Sequence, residues 1–90
     1  MNLGYSQAAL ADLRRIDRFL TAIDGDLAAT AQSAIKQRIA TLLINPSIGS
    51  PLPGGRNKVI ERRFGYVILY RHDRRSLNVL RIRHQREDWR

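Results

Sequence analysis

The chain of 90 residues contains no cysteine and no long apolar run. Without cysteine, neither a disulfide framework nor a thiolate metal site can form. This absence fits a reducing compartment, where disulfides are rare. The apolar runs are only a few residues long, far below the ~20 that a membrane-spanning helix needs. The basic start and apolar stretch of a signal peptide are also missing, so we expect a cytoplasmic protein.

The motifs of common metal and nucleotide sites are missing as well. Neither zinc-finger spacing nor the aromatic signature of an RNA-recognition domain is present. The segment PGG at 53–55 lacks the Lys-Ser/Thr and the preceding strand of a phosphate loop. His72 and His84 are the two histidines, twelve positions apart, and two such residues make a poor metal site. We therefore expect no metal and no other cofactor.

Acidic residues are too few to balance the basic ones, above all in the last part of the chain. Sixteen Lys and Arg against eight Asp and Glu give a net charge of +8. Residues 1–55 hold five basic and four acidic side chains, whereas residues 56–90 hold eleven basic and four acidic. Such a surface attracts polyanions: nucleic acid, the ribosome or an acidic protein. A face that only keeps the protein soluble is the alternative, and the uneven distribution argues against it.

Two segments repeat apolar residues at the spacing of three and four that is typical of amphipathic helices. The first follows Ser6, a suitable N-cap, and we place Asp12 off its apolar face. The second follows DGD at 24–26, with Asp26 as its predicted cap, and ends before Pro46 because the residue before a proline avoids helical geometry. The apolar positions are Ala9, Leu13, Ile16, Leu20 and Ile23, then Leu27, Ala31, Ile35, Ile39 and Leu42. A short turn between them predicts an antiparallel helical hairpin.

The other segments are typical of strands and turns. NLGYS opens the chain as a strand, and KVIERRF, YVILYRH and LNVLRIR follow near its end. NPSIGSPLPGGRN, which contains all three prolines, predicts a loop between helices and strands. The order β-α-α-β-β-β predicts one two-layer α+β domain over residues 1–90, with the helical hairpin packed on an antiparallel sheet. The free sheet face would carry Arg62, Arg81 and Arg83.

Four segments in this order, ALADLRRIDRFL, NPSIGSPL, FGYVILYR and VLRIRHQRED, resemble the RelE/ParE superfamily of bacterial type II toxin–antitoxin toxins. The likeness covers nearly the whole chain. It implies one of two activities. RelE-like members sit in the ribosomal A site and cleave mRNA, whereas ParE-like members poison DNA gyrase without acting as enzymes. It also implies an antitoxin whose C-terminal segment wraps the toxin.

The basic residues that the resemblance implies for a RelE-like nuclease are only partly present. Lys58 and Arg86 match two of these positions. Ile60 and Val67 stand where a lysine and an arginine are usual. Because an apolar side chain cannot neutralise the charge of a phosphate in the transition state, this departure favours the ParE-like branch.

A second nuclease pattern uses a glutamate, an arginine and a late histidine, and Glu61, Arg62 and His84 could imitate it. Histidine titrates near neutrality and suits proton transfer. Strand alternation, however, places His84 on the same face as Leu80 and Ile82, opposite the arginines of that strand. We interpret His84 as a structural, hydrogen-bonded residue.

These observations favour a ParE-like toxin that stabilises the cleaved-DNA complex of gyrase, which would break DNA and arrest growth. The expected target-binding residues are Arg62, Arg81, Arg83, Arg86 and Trp89. The resemblance implies that the antitoxin docks on the helical hairpin, and the expected antitoxin-binding residues are Leu13, Leu20, Ile35 and Ile39. A basic toxin also predicts an acidic antitoxin segment, since complementary charge speeds association.

Two alternatives stay open, because both branches share a fold and a basic face. One is a ribosome-dependent mRNA endonuclease with Arg62, His84 and Arg86 as catalytic residues. The other is a chain without toxicity that only binds its partner and represses an operon.

Overall fold

The computed structural model describes residues 1–86, which form two helices and five strands. The elements are β1 (Asn2–Tyr5), α1 (Gln7–Thr21), α2 (Gly25–Ile44), β2 (Ser50–Pro51), β3 (Asn57–Glu61), β4 (Tyr66–His72) and β5 (Ser76–His84). Single 3₁₀ turns, Pro46–Ile48 and Pro53–Gly55, flank β2. Neither helix in the described part is long and apolar enough to cross a membrane. Trp89 lies outside the described residues, so its role in target binding stays a prediction.

The five strands form one sheet in the order β1-β5-β4-β3-β2, with both helices packed on one face. The predicted two-layer α+β fold is confirmed. The sheet is mixed instead of wholly antiparallel, because β1 runs parallel to β5. A parallel pair needs a long crossover, and here the helical hairpin lies in the connection. The proline-rich segment was predicted as a loop only, but it also contains the two-residue strand β2.

Both helices begin at a residue whose side chain accepts a backbone N–H. Ser6 caps α1, as predicted, with its hydroxyl 2.9 Å from the nitrogen of Ala9. The prediction of Asp26 as the second cap is wrong by two residues. Asp24 caps α2 and accepts the N–H of Asp26 at 2.8 Å. Asp26 lies in the first turn instead, where its negative charge interacts favourably with the helix dipole.

The core lies between the helices and one face of the sheet. Its buried residues are Ala9, Ile16 and Leu20 of α1, Ala28, Ala31, Ile35, Ile39 and Leu42 of α2, and Val59, Tyr66, Ile68, Tyr70, Leu77, Val79 and Ile82 of the sheet. Ile23, predicted to belong to the apolar face of the first helix, is 63% exposed because α1 ends at Thr21. Asp12, predicted to lie off that face, is buried among these residues at 3% exposure.

A β-bulge changes the alternation of β5. Arg81 pairs with Leu69 and Val79 pairs with Tyr70, which leaves Leu80 as the extra residue. Strand alternation predicted that Leu80 and Ile82 lie on one face, but the bulge interrupts that alternation: Leu80 is half-buried, whereas Ile82 is fully buried in the core. Beyond the bulge the alternation is regular again.

Candidate interface for target and partner

His84 connects the end of β5 to the turn between β3 and β4. Its Nε2 lies 2.9 Å from the carbonyl oxygen of Phe64, and its Nδ1 accepts the backbone N–H of Arg86 at 3.2 Å. Because a carbonyl only accepts, these partners place the imidazole proton on Nε2. The ring also meets Tyr66 edge to face, with centroids 5.5 Å apart. Both ring nitrogens are thus engaged within the fold.

Glu61 stabilises the same turn through hydrogen bonds to its backbone. It is 4% exposed, and its two carboxylate oxygens accept the N–H groups of Arg63 at 2.6 Å and Phe64 at 3.0 Å. The turn closes at Gly65, whose φ of +84° lies in the left-handed region that favours glycine. Glu61 and His84 therefore meet at one turn, where their hydrogen bonds go to the backbone of the protein itself.

Asp12 is the buried charged residue that sequence reasoning misplaced. Its carboxylate accepts the N–H of Ile82 at 2.9 Å and two N–H groups of Arg81 at 2.9 and 3.1 Å. Burial alone raises the pKa of Asp12, but these hydrogen bonds and the positive charges of Arg81 and Arg83 together hold that pKa below its ordinary value. The signal was present in the sequence, because Asp12 follows Ala9 by three residues and therefore lies on the same helix face.

The sheet face opposite the helices combines basic and apolar residues in two cross-strand rows. One row is Lys58, Leu69 and Arg81, and the other is Ile60, Val67 and Arg83. Ile60 and Val67, the two apolar residues at usually basic positions, are thus direct neighbours across β3 and β4. This face, with arginines on β5 and an apolar centre on β4, we call the open sheet face.

The four arginines expected to bind the target do not form one group. Arg81 and Arg83 lie on the open sheet face as predicted, although Arg81 is also paired with Asp12. Arg62 was predicted to lie on that face and does not: it is in the turn after β3. Arg86 is exposed just after β5, in the neighbourhood of the same turn.

The residues chosen for antitoxin binding need a larger correction. Leu20, Ile35 and Ile39 are 9%, 0% and 1% exposed, because the helix faces that look apolar in the sequence pack against the sheet. A partner cannot reach them. Leu13 is half-buried and lines a groove of about 390 Å³ between α1 and α2. The other residues of this hairpin groove are Leu10, Arg14, Asp17, Gln32 and Lys36.

No group of three or more His, Cys, Asp or Glu within residues 1–86 could hold a metal ion. The arrangement offers cations, apolar surface and hydrogen-bond donors.

Solved structures with the same fold define the class of this protein. A chain of the chromosomal ParDE TA system from P. aeruginosa superimposes with a TM-score of 0.81 at 24% identity, covering 93% of this chain and 95% of that one. The intact E. coli RelBE toxin–antitoxin complex gives 0.70 at 20% identity, with 96% and 98% covered. The YoeB/ParE toxin from Agrobacterium tumefaciens gives 0.68 at 20%, with 94% and 99% covered. The fold is that of the RelE/ParE toxins.

The sequence then gives the family within that class. The model of the ParE toxin of type II toxin–antitoxin systems, parDE, matches residues 3–89. The chain belongs to this ParE toxin family. No curated protein sequence matches it.

Proposed function

We propose that this toxin binds DNA gyrase and prolongs the life of its cleaved-DNA complex. The observation that supports the proposal concerns the positions that a nuclease would use: two of them hold apolar residues, and two hold residues that are hydrogen-bonded within the fold. Ile60 and Val67 put apolar surface where phosphate-binding cations would be required, and they lie side by side. Glu61 and His84, the residue types suited to proton transfer, are engaged with the backbone of one turn.

The basic residues then act by binding and not by making or breaking bonds. Arg83 on the open sheet face and Arg86 beyond β5 are the principal candidates for contacts with gyrase. Arg81 takes part less directly, because Asp12 already neutralises its charge and fixes its guanidinium. Arg62 contributes from the neighbouring turn.

The proposed partner is a cognate antitoxin with an acidic, amphipathic segment. The names of the similar structures describe toxin–antitoxin pairs, which supports a partner of this kind. The hairpin groove suits such a segment, because Leu10 and Leu13 offer apolar contact. Arg14 and Lys36 also offer two positive charges against the single negative charge of Asp17. Binding there would neutralise the toxin by holding it in a complex.

The test is a supercoiling assay with purified toxin, DNA gyrase, ATP and relaxed plasmid. We expect supercoiling to stop and linear, gyrase-bound plasmid to accumulate. If supercoiling is unchanged while the toxin still arrests growth, the proposal is wrong, and transcript cleavage in the presence of ribosomes is the next measurement. If expression leaves growth unharmed, the chain acts only through its partner.

A further inference from the structure

A small cleft lies at the outer edge of β3 and borders the open sheet face, with which it shares Lys58 and Ile60. β3 pairs with β2 only through Asn57 and Lys58, so from Val59 onward its edge has no strand neighbour in the described part of the chain. In place of a strand, Arg38 of α2 reaches this edge and donates from Nε to the carbonyl oxygen of Ile60 at 3.1 Å. A cavity of about 120 Å³ opens here between α2, the segment at Gly49 and the edge of β3.

Three cations from three parts of the chain line this cavity. Arg38 comes from α2, Lys58 from β3 and Arg62 from the turn after β3. Among residues 1–86, no acidic residue lines the cavity and none of the three cations is ion-paired with a carboxylate. Arg81 differs, because Asp12 neutralises it. Like charges gathered around one cavity repel, and an anion placed between them removes that repulsion.

A second cavity of about 260 Å³ continues the cleft along α2. Arg38 and Arg62 line both cavities, and Arg63 adds a further cation to the second. Glu61 also lines the second cavity, but its two oxygens already accept backbone N–H groups. The first cavity is smaller than the ~300–1,000 Å³ of pockets that enclose whole small molecules. Its size therefore suits one anionic group of a longer ligand, with a neighbouring group in the second cavity.

We infer that this cleft, formed by Arg38, Lys58, Arg62 and Arg63, binds the sugar-phosphate backbone of a nucleic-acid strand. Adjacent phosphates occupy the two cavities, and the shared arginines lie between them. The planar guanidinium group matches phosphate oxygens with paired hydrogen bonds. An acidic peptide added as a further strand fits less well, because Arg38 already occupies the carbonyl of Ile60 that such a strand would need.

The inference deepens the proposed function and rests on it for its biological meaning. In a complex with gyrase, the toxin would hold a DNA strand directly through the cleft while Arg83 and Arg86 contact the enzyme. Binding of DNA by the toxin alone and inhibition of gyrase are separate measurements. Each can therefore fail without the other.

The experiment measures fluorescence anisotropy of a short labelled DNA strand, and of RNA of the same sequence, with the full-length toxin and no gyrase. Salt is varied from about 50 to 200 mM. The variant is Lys58→Gln with Arg62→Gln, whose side chains make no hydrogen bond to the described part of the chain. The matched control is Arg74→Gln with Arg75→Gln, which removes the same charge from the exposed turn between β4 and β5. Urea unfolding of all three proteins checks that they are folded.

We expect wild-type toxin to bind DNA and RNA alike, since the contacts are to phosphates. In a plot of log affinity against log salt, the slope of the cleft variant should be shallower by about 1.4 than that of the wild type. The variant lacks two phosphate contacts, and each contributes roughly 0.7 to the slope for single strands. The control should keep the wild-type slope. A cleft variant that matches the control, or a wild type that binds neither strand, overturns the inference.

Two further outcomes distinguish the partner and the function. Polyglutamate and unlabelled DNA are compared as competitors for the labelled DNA. If polyglutamate displaces it at a lower concentration of charge than unlabelled DNA does, with the same dependence on Lys58 and Arg62, the cleft binds an acidic protein and the inference is wrong. If the cleft binds DNA as expected but gyrase still supercoils, the inference stands and the proposed function fails.

Discussion

The Asp12 carboxylate accepts a backbone N–H at the edge of β5, as the carbonyl group of a neighbouring strand would. β1 pairs with β5 only as far as Tyr5 and Val79, and Asp12 accepts the N–H of Ile82 further along. It also orients Arg81 through two charge-assisted hydrogen bonds. A carboxylate among apolar residues is stabilised here because every polar contact it needs is supplied.

Replacing Asp12 by alanine should therefore destabilise the toxin. Breaking a buried pair leaves the Ile82 N–H without an acceptor, while Arg81, at 38% side-chain exposure, recovers part of its hydration. We expect the free energy of unfolding to fall by about 2–3 kcal/mol. Asp17→Ala on the exposed side of α1 is the control and should change it by less than about 0.5 kcal/mol. Equal losses in the two variants, measured by urea unfolding, would contradict this role.

The lowered pKa of Asp12 also predicts the pH dependence of its contribution. The folded protein favours the charged carboxylate more than the unfolded chain does, so the contribution is fully present above the unfolded pKa of about 4. It is lost as pH falls through the still lower folded pKa. The difference in unfolding free energy between wild type and Asp12→Asn should shrink as pH drops below about 4. A difference that stays constant to pH 2 would show that charge is not the cause.

His84 gives the residue-scale test of binding against catalysis. His84→Ala removes the contacts to Phe64 and Arg86, which should lower the unfolding free energy by about 1–2 kcal/mol. On the proposed function, the folded variant and the wild type should inhibit gyrase to the same extent. His72→Ala, at an exposed position, is the control. The endonuclease alternative would be supported by a different result: the wild type cleaves transcripts, and the His84 variant is as stable as the wild type but does not cleave them.

At the scale of elements, side chains of both helices protect the edges of the sheet. Asp12 of α1 and Ser6 before it bond to β5, and Arg38 of α2 bonds to β3. Unpaired strand edges invite pairing with other chains, and these contacts occupy the groups that such pairing needs. The helices therefore stabilise the sheet at its edges as well as over its face.

Tyr70 fixes the segment that follows α2. Its buried hydroxyl donates to the carbonyl of Pro46 at 2.7 Å and accepts the N–H of Gly49 at 3.1 Å. Tyr70→Phe should cost about 1–2 kcal/mol of unfolding free energy and speed hydrogen exchange at the Gly49 amide. Tyr5→Phe is the control, because no hydrogen bond joins the Tyr5 hydroxyl to the described chain. Unchanged exchange at Gly49 would contradict this account.

At the scale of the whole molecule, the toxin has three candidate binding surfaces. The hairpin groove lies on the helices and the open sheet face lies on the opposite side. The cleft lies at the edge of β3, where it shares Lys58 and Ile60 with the open sheet face. A partner on the groove and a target on the sheet therefore need not compete for the same side chains. On the proposed function, the antitoxin would then neutralise the toxin by its size, because the bound antitoxin would keep gyrase away from the sheet.

The hairpin groove predicts which substitutions in the toxin weaken antitoxin binding. Leu10 is 40% exposed and lines the groove, so Leu10→Glu would place a negative charge against the proposed acidic antitoxin segment. We expect antitoxin affinity to fall at least about tenfold, or 1.4 kcal/mol. Ile44→Glu, at 87% exposure near the end of α2, introduces the same charge outside the groove. Titration calorimetry that finds equal losses for the two variants would place the antitoxin elsewhere.

The sequence by itself determined the elements and the fold class. Helical periodicity located α1 and α2, alternation and turn residues located β3 to β5, and these signals are local enough to read without a structure. The Ser6 cap and the shared face of Ile82 and His84 followed from the same local geometry and are confirmed. The resemblance to RelE/ParE toxins, also read from the sequence, is confirmed by the family and the fold.

Only the tertiary structure decided which polar and apolar residues are accessible. Ile35 and Ile39 looked like a docking stripe and are core, because periodicity marks an apolar face without saying what covers it. Asp12 and Arg81 are 69 residues apart in sequence, and their pairing depends on α1 packing beside the end of β5. The Arg38, Lys58 and Arg62 cleft arises in the same way. Charges from distant segments meet only when the chain has folded, and a linear pattern contains no information about that meeting.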